Sequence, residues 1–382
     1  MKILITTDLY TIDTNGVVTS VKNLQRELEE KGHDVRILTF SGTCHSRREG
    51  NVSFIGSQPF PVYPNVRLCL RTRHKYVREL IDWKPDVIHS NCEFFSFQFA
   101  QRIARKTGAP IVHTYHTLYE DYVHYLLPGK RFGRWVVRTV SRKRLKCVAS
   151  IIAPTQKVEG FLRSYGIENP VHVVPSGIKL EKHRVRIADE QRAEGRAVYG
   201  IGDDKTVLLS LGRVGDEKNI GELIDFFAAA TRTRSDIVFM IVGDGPAREK
   251  LARQAEELGV ADRVIFTGMV PPDKVQYYYQ LGDVFVSAST SETQGLTYVE
   301  AAANGLPLLC RNDPCLLEVL MQGENGYAYR DREEFLAYLD ELADHPRERR
   351  EAGHRSEELS ERFDTPAFGN AVEKVYEEAI QQ

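Results

Sequence analysis

The chain has 382 residues, 42% hydrophobic and 27% charged, with a formal net charge of −2. That length exceeds what one hydrophobic core serves, so two domains are expected in a soluble, globular protein. No apolar run reaches the ~18 residues of a membrane span, and no charged-then-apolar leader precedes Met1-Lys2-Ile3-Leu4, so a cytoplasmic location is expected.

The small total charge hides an asymmetry. Residues 1–175 hold 26 Lys and Arg against 15 Asp and Glu, or +11, while residues 176–382 hold 25 against 38, or −13. A basic half opposite an acidic one points to an anionic partner for the former. Cys44, Cys69, Cys92, Cys147, Cys310 and Cys315 are scattered without metal-ligand or C-x-x-C spacing, and no Asp-x-Asp occurs. The cysteines therefore read as reduced fillers, and no metal site is expected.

Strands and helices alternate along the chain, which predicts an α/β fold with parallel sheets. In the first half strands are predicted near Ile3–Thr6, Val35–Leu38, Val87–His89, Ile111–Thr114, Ser150–Ala153 and Val171–Val174. Gly16 and Val17 open the first helix, where a glycine lets a ligand approach the backbone closely. No G-x-G-x-x-G follows the first strand, so a dinucleotide site is not predicted.

A stretch without acidic residues runs from Tyr122 through Val158 and carries Lys130, Arg131, Arg134, Arg138, Arg142, Lys143, Arg144 and Lys146. On a helical projection Phe132, Trp135, Val136 and Val140 gather on one side, and Arg131, Arg134, Arg138 and Arg142 on another. This is the pattern of a helix lying on an anionic membrane surface. It is also the pattern of a surface helix with its apolar side on its own core. A second basic stretch, Arg67 to Arg78, follows the apolar Phe60-Pro61-Val62-Tyr63-Pro64. No nucleic-acid module accompanies either stretch, so nucleic acid is not expected as a partner.

Past Pro175-Ser176-Gly177 and a charged segment to Gly202, strands are predicted near Val207–Leu211, Ile237–Val242, Arg263–Phe266, Val284–Ala288 and Leu306–Cys310. Arg213 and Lys218 flank the turn after the first of these. An Arg fork and a Lys point charge there suit the two charges of a pyrophosphate, although solvated loop cations look the same. After Val284–Ala288 comes a polar loop with Glu292, then a helix from Gly295 to Asn304 carrying Glu300.

The amides of Gly295, Leu296 and Thr297 would form an anion site at that helix start. Eight helical residues span roughly 12 Å, the reach from a hexose across a diphosphate to a ribose. Acids near helix starts are common for dipole reasons alone, so the pair acquires meaning only with the other motifs.

Asn15-Gly16-Val17, Thr114-Tyr115-His116-Thr117, Pro175-Ser176-Gly177-Ile178, Gly212-Arg213 with Lys218, Val242-Gly243-Asp244-Gly245-Pro246, Phe266-Thr267-Gly268 and the Glu292/Glu300 block together resemble the retaining glycosyltransferases of family four type. Residues 114–125 and 287–298 are similar more narrowly to the bacterial 1,2-diacylglycerol 3-alpha-glucosyltransferases. The resemblance covers nearly the whole chain.

It implies a GT-B fold: two Rossmann-like domains facing a cleft, residues 1–175 toward acceptor and membrane and 176–365 toward the nucleotide sugar. A terminal helix, 366–382, would cross back to the first domain. It further implies transfer of a hexose, glucose in the first instance, from a UDP-sugar to a lipid hydroxyl such as diacylglycerol. Other possibilities are a glycosylated diacylglycerol or soluble acceptor, or a UDP-sugar 2-epimerase.

By the same resemblance, Glu300 takes the ribose hydroxyls, Glu292 the sugar hydroxyls, and Arg213 and Lys218 the diphosphate. Gly16 and Val17 approach the diphosphate from across the cleft, Gly268 and Met269 line the base, and His116 lies near the sugar's primary hydroxyl. The resemblance puts the membrane contact in the basic first half, and the basic pattern makes Lys130, Arg131, Arg134, Trp135, Arg138, Arg142, Lys143 and Arg144 the residues expected to form it, on the inner face of the cell membrane. No cofactor is implied beyond the UDP-hexose itself.

Overall fold

The computed structural model describes residues 1–11, 16–59, 67–69, 72–117 and 130–382, with the backbone alone for Lys130, Arg131, Phe132 and Arg134. The chain divides into two compact units, Met1–Gly177 with Thr365–Gln382, and Ile178–Asp364. Asn15, Phe60 to Pro64, Arg71 and residues 118–125 of the family-like segment lie outside the described residues.

The first unit runs β1 (Lys2–Thr6), α1 (Gly16–Glu30), β2 (Asp34–Phe40), β3 (Arg47–Glu49), β4 (Val52–Ile55), β5 (Gln58–Pro59), β6 (Arg67–Leu68), α2 (Lys75–Trp83), β7 (Val87–Ser90), α3 (Phe95–Thr107), β8 (Ile111–Thr114), α4 (Lys130–Leu145), β9 (Ser150–Ala153), α5 (Gln156–Ser164) and β10 (Val171–Val173). Among the described residues its main sheet has the order β10-β9-β8-β7-β1-β2-β4-β3. All neighbours are parallel except the short edge strand β3, which turns back on β4. Ile3, Leu4 and Ile5 are fully buried, as a strand covered by helices on both faces requires.

The second unit runs α6 (Leu180–His183), α7 (Asp189–Val198), β11 (Thr206–Leu211), α8 (Ile220–Ala230), β12 (Ile237–Val242), α9 (Arg248–Glu257), β13 (Val264–Gly268), α10 (Val275–Leu281), β14 (Val284–Ser287), α11 (Leu296–Ala303), β15 (Leu308–Arg311), β16 (Gly326–Tyr329), α12 (Arg332–Asp344) and α13 (Pro346–Ser360). Its sheet is parallel throughout, in the order β13-β12-β11-β14-β15-β16. All six residues of β12 are buried.

The charged segment before β11 is a fastening. Arg192 and Arg196 both pair with Asp283 at 2.7 Å, and Arg196 also donates to the Leu281 carbonyl. Burial of these charges is tolerated because each is paired and hydrogen-bonded.

The last helix, α14 (Thr365–Gln381), belongs to the first unit. Phe368, Val372, Val375, Tyr376 and Ala379 recur at helical spacing and join Ile3, Ile5, Val21 and Leu24 in one apolar cluster. The Tyr376 hydroxyl lies 2.6 Å from His89 Nδ1, deep in that cluster.

The basic helix α4 uses a third side to dock. Val137 and Leu145 pack against the core of the first unit, and Gly133 and Ser141 are buried on the same side. Trp135 is left 61% exposed and Val140 41% exposed, with Arg138, Arg142 and Lys143 exposed too. Thus Trp135 and Val140, which share one side of the projection, are not what attaches the helix to its own core.

Candidate active site

At the C-terminal ends of β11, β12 and β13 stand Gly212, Gly243 and Gly268, all at positive φ. The Gly212 N–H donates to the Val242 carbonyl at 2.9 Å, and the Gly243 N–H to the Gly268 carbonyl at 3.1 Å. A Cβ on Gly243 would overlap the Gly212 carbonyl oxygen. Only glycine fits this close approach of backbones, which turns Arg213 and the loop beyond it over the strand ends.

A hollow there is lined by Ser210, Leu211, Gly212, Arg213, Lys218, Ile220, Ile241, Val242, Phe285, Ser287, Glu292 and Thr297. Strand ends supply its apolar floor, and the loops after β11 and β14 supply its charges. Lys218 closes a single 3-10 turn, Asp216–Lys218, after which Asn219 takes the left-handed conformation at φ 51°.

Lys218 Nζ donates to Glu292 Oε1 at 2.5 Å, and Ser289 Oγ donates to the same oxygen at 2.8 Å. Arg213 Nη2 donates to Glu217 Oε1 at 2.5 Å, and Ser291 Oγ to the Glu217 carbonyl at 3.2 Å. Each cation is thus held by a carboxylate, and a hydroxyl ties the two loops together. Lys218, expected on a diphosphate, and Glu292, expected on a sugar, hold one another in the structure.

Helix α11 begins at Gly295, whose φ of 71° turns the loop into the helix. It ends at Asn304 and Gly305, ahead of Pro307. The helix starts one residue later than predicted, at Leu296, with Gly295 as its cap. Its first amides have no partner within the helix, and Thr297 faces the hollow.

Glu300, one turn farther on, is partly buried, and desolvation raises its carboxyl to about 7, against a smaller opposing effect of its hydrogen bond from Tyr279. Tyr279 Oη donates to Glu300 Oε2 at 2.9 Å.

The structure therefore brings Arg213, Lys218, Glu292 and Thr297 around one hollow, with Gly295, Leu296 and Glu300 on the helix that bounds it. Gly268 is buried and Met269 is 64% exposed at the end of β13, and neither lines the hollow.

The remaining predicted residues belong to the first unit. Gly16 and Val17 start α1. His116 follows β8, with Nε2 2.9 Å from Asn91 Oδ1. Burial, and secondarily His113, lowers its imidazole to about 3, so it is neutral at physiological pH. Glu217, Tyr279 and Asn91 were not singled out beforehand. Tyr279 and Asn91 act on side chains from another motif or strand end, so no local spacing marks them, and Glu217 lies four residues from Arg213 in the same loop, where an acid beside cations looks like any solvated charge.

Comparison with known proteins covers both units. Residues 14–182 match the family described as Glycosyltransferase Family 4, and residues 191–359 match Glycosyl transferases group 1. An alpha-monoglucosyldiacylglycerol synthase of Streptococcus pneumoniae is 36% identical over the whole chain, covering 86% of that relative. One from Acholeplasma laidlawii is 31% identical over 91% of this chain and 89% of the relative.

Among solved structures, Anabaena HepE in complex with UDP and glucose superimposes with a TM-score of 0.77 at 17% identity, over 99% of this chain and 100% of that one. The fold is thus GT-B, with two Rossmann-like units. The chain belongs to the glycosyltransferase family that includes the alpha-monoglucosyldiacylglycerol synthases.

Proposed function

We propose that the protein is a retaining glucosyltransferase that moves glucose from UDP-glucose to the hydroxyl of diacylglycerol at an anionic membrane surface. The observation that carries this reading is the grouping of Arg213, Lys218, Glu292 and Thr297 around one hollow at the strand ends. Its support is the 36% identity, along the whole chain, to a relative named for that lipid product.

In the reaction the bond from sugar C1 to the diphosphate oxygen breaks and a bond from C1 to the lipid oxygen forms. The lipid hydroxyl proton passes to the departing phosphate oxygen, and UDP leaves. Attack from the leaving group's own face retains the α configuration. Fixed positive charge beside the developing phosphate is then the protein's main contribution.

Lys218 and Arg213 supply that charge, with the amides of Gly295, Leu296 and Thr297 at the start of α11. No metal ion is assigned to this site. Glu300 accepts the ribose hydroxyls, and Glu292, released from Lys218 by the incoming diphosphate, accepts those of the glucose. Gly268 and Met269 are assigned to the base, Gly16 and Val17 to the diphosphate, and neutral His116 to the sugar's primary hydroxyl.

The acceptor and the membrane fall to the first unit. Residues 130–145 place Trp135, Arg138, Arg142 and Lys143 outward from its core; Lys130, Arg131, Arg134 and Arg144 are assigned to the same membrane contact, Arg144 also donating to the Phe94 carbonyl. No helix among the described residues is long and apolar enough to cross a membrane, and the reading is of a peripheral enzyme on the inner leaflet.

Incubating purified protein with UDP-glucose or UDP-galactose and vesicles containing diacylglycerol, then identifying the product by mass and anomeric coupling, tests the reading. An α-glucosyl-diacylglycerol is the expected product. Conversion of the UDP-sugar without an acceptor would establish an epimerase instead, and transfer only to glycosylated or soluble acceptors would reassign the acceptor.

A further inference from the structure

Resting on the reading of Glu300 as the ribose acceptor, a residue outside every motif acquires a role. Tyr279 sits on α10 and is fully buried. Its ring is held in the core with centroid 6.1 Å from Phe285 and 6.5 Å from His183. Its hydroxyl lies 2.9 Å from Glu300 Oε2 and 3.4 Å from the Thr297 carbonyl. A phenol has one proton to donate, and the shorter contact takes it.

A glutamate on a helix has rotatable bonds that spread its carboxyl over several positions. A tether to a buried tyrosine removes that freedom before any ligand arrives, so the ordering cost is not charged to binding. One carboxyl oxygen, Oε2, is then engaged from the protein side, and Oε1 is the oxygen that this reading gives to the ligand. A single fixed carboxyl oxygen with two lone pairs is suited to a vicinal diol, which the 2′ and 3′ hydroxyls of a ribose present side by side.

We propose that Tyr279 is the positioning residue that fixes the Glu300 carboxylate on the ribose diol, and thereby sets the preference of the site for ribo- over deoxyribonucleotides. Tyr279 touches neither the reacting sugar nor the diphosphate. Its effect is confined to ligands that carry the diol.

The test is calorimetric binding of UDP and of 2′,3′-dideoxy-UDP to the full chain and to Tyr279→Phe. The wild type is expected to bind both, UDP more tightly. Tyr279→Phe is expected to weaken UDP by about tenfold, the scale of one lost oriented hydrogen bond, and to leave dideoxy-UDP unchanged.

Equal weakening of both ligands, or no change in UDP affinity, would overturn the proposal and leave Tyr279 a packing residue. Failure of the wild type to bind UDP at all would overturn it together with the reading on which it rests. A cycle in the Glu300→Ala background checks the coupling: there Tyr279→Phe must have no further effect on UDP affinity, and an undiminished effect refutes it. Should Tyr279→Phe fold poorly, Tyr279→Met, which also lacks the hydroxyl, takes its place in the same titrations.

Discussion

Lys218 Nζ and Glu292 Oε1 lie 2.5 Å apart although 74 residues separate them in the chain. Both side chains are more than two-thirds buried, at 29% and 16% exposure. A cation and an anion so paired across two loops keep the hollow neutral and hold Lys218 where a phosphate would need it. Two phosphate charges compete with one carboxylate for that ammonium, and a sugar hydroxyl is the partner left for Glu292. The positive charge is therefore in place before the leaving group develops its own, which is the condition for electrostatic catalysis.

Lys218→Ala is expected to lower kcat at saturating UDP-glucose by about 10² or more, the scale of losing one such donor. Initial-rate measurement of UDP release with vesicle acceptor checks this. Near-normal turnover would remove Lys218 from the machinery, and with it the meaning of its pairing to Glu292.

Burial sets the sign for Glu300. Its carboxyl is raised from 4.5 to about 7 by desolvation, so the folded protein holds the proton more tightly than the unfolded chain does. Stability from the neutral acid is fully present below pH 4.5 and is lost as pH rises through 7. Glu300→Gln keeps an acceptor for Tyr279 and removes the charge. It is expected to raise stability at pH 8 by about 3 kcal/mol or somewhat less, at ~1.4 kcal/mol per pH unit, and by little at pH 5.

Donor binding runs the other way, since the ionised carboxylate is the stronger acceptor. UDP affinity should rise through pH 7 in the wild type. In Glu300→Gln that step should vanish, leaving only the ionisation of the phosphate. Denaturant unfolding and UDP titration at the two pH values check both signs.

Much of this architecture was legible because the signals were local. Ile237–Val242 is an uninterrupted apolar run and became a fully buried strand. Gly295 and Gly305-Leu306-Pro307 bracketed α11 to within a residue. Of the strands that escaped, Val52–Ile55 is interior but only four residues long, and two others sit at sheet edges. Arg47–Glu49 is exposed at all three positions, so no hydrophobic pattern marks it, and Gly326–Tyr329 begins with a glycine at a position where a Cβ would overlap the Leu308 backbone.

In the site, residue types at a strand-to-helix turn announced Arg213, Lys218, Glu292 and Glu300. The Arg213–Glu217 and Tyr279–Glu300 contacts did not announce themselves. The first is an acid four residues from a cation in one loop, which looks like any solvated pair, and the second joins helices whose approach depends on the whole sheet.

Helix α4 gives a prediction about surfaces. Its anchoring by Val137 and Leu145 leaves Trp135, Arg138 and Arg142 facing outward. Near an anionic leaflet each cation contributes on the order of 1 kcal/mol, so Arg138→Ala with Arg142→Ala should weaken partitioning by roughly 30-fold. Flotation with vesicles rich in anionic lipid checks this. The loss should shrink as ionic strength rises, and an unchanged partition would transfer the membrane contact to another surface.

Glycine placement separates scaffold from strain. Gly32 has φ 83° and nothing within 4 Å of a built Cβ, so Gly32→Ala should cost only the left-handed penalty of about 1–2 kcal/mol. Gly243 has φ 131°, and its Cβ would meet the Gly212 carbonyl, which is backbone and cannot rotate away. Relief requires β11 and β12 to part at their C-terminal ends, which moves Arg213.

Gly243→Ala is therefore expected to cost more than about 3 kcal/mol, in the range reserved for backbone overlap and core disruption. If the protein still folds, UDP affinity should fall while vesicle binding by α4 in the other unit is retained. Thermal unfolding, UDP titration and flotation on the same preparation check the three expectations. A Gly243→Ala protein as stable as Gly32→Ala, with unaltered UDP affinity, would mean that the close backbone approach at these strand ends is not what holds Arg213 over the hollow.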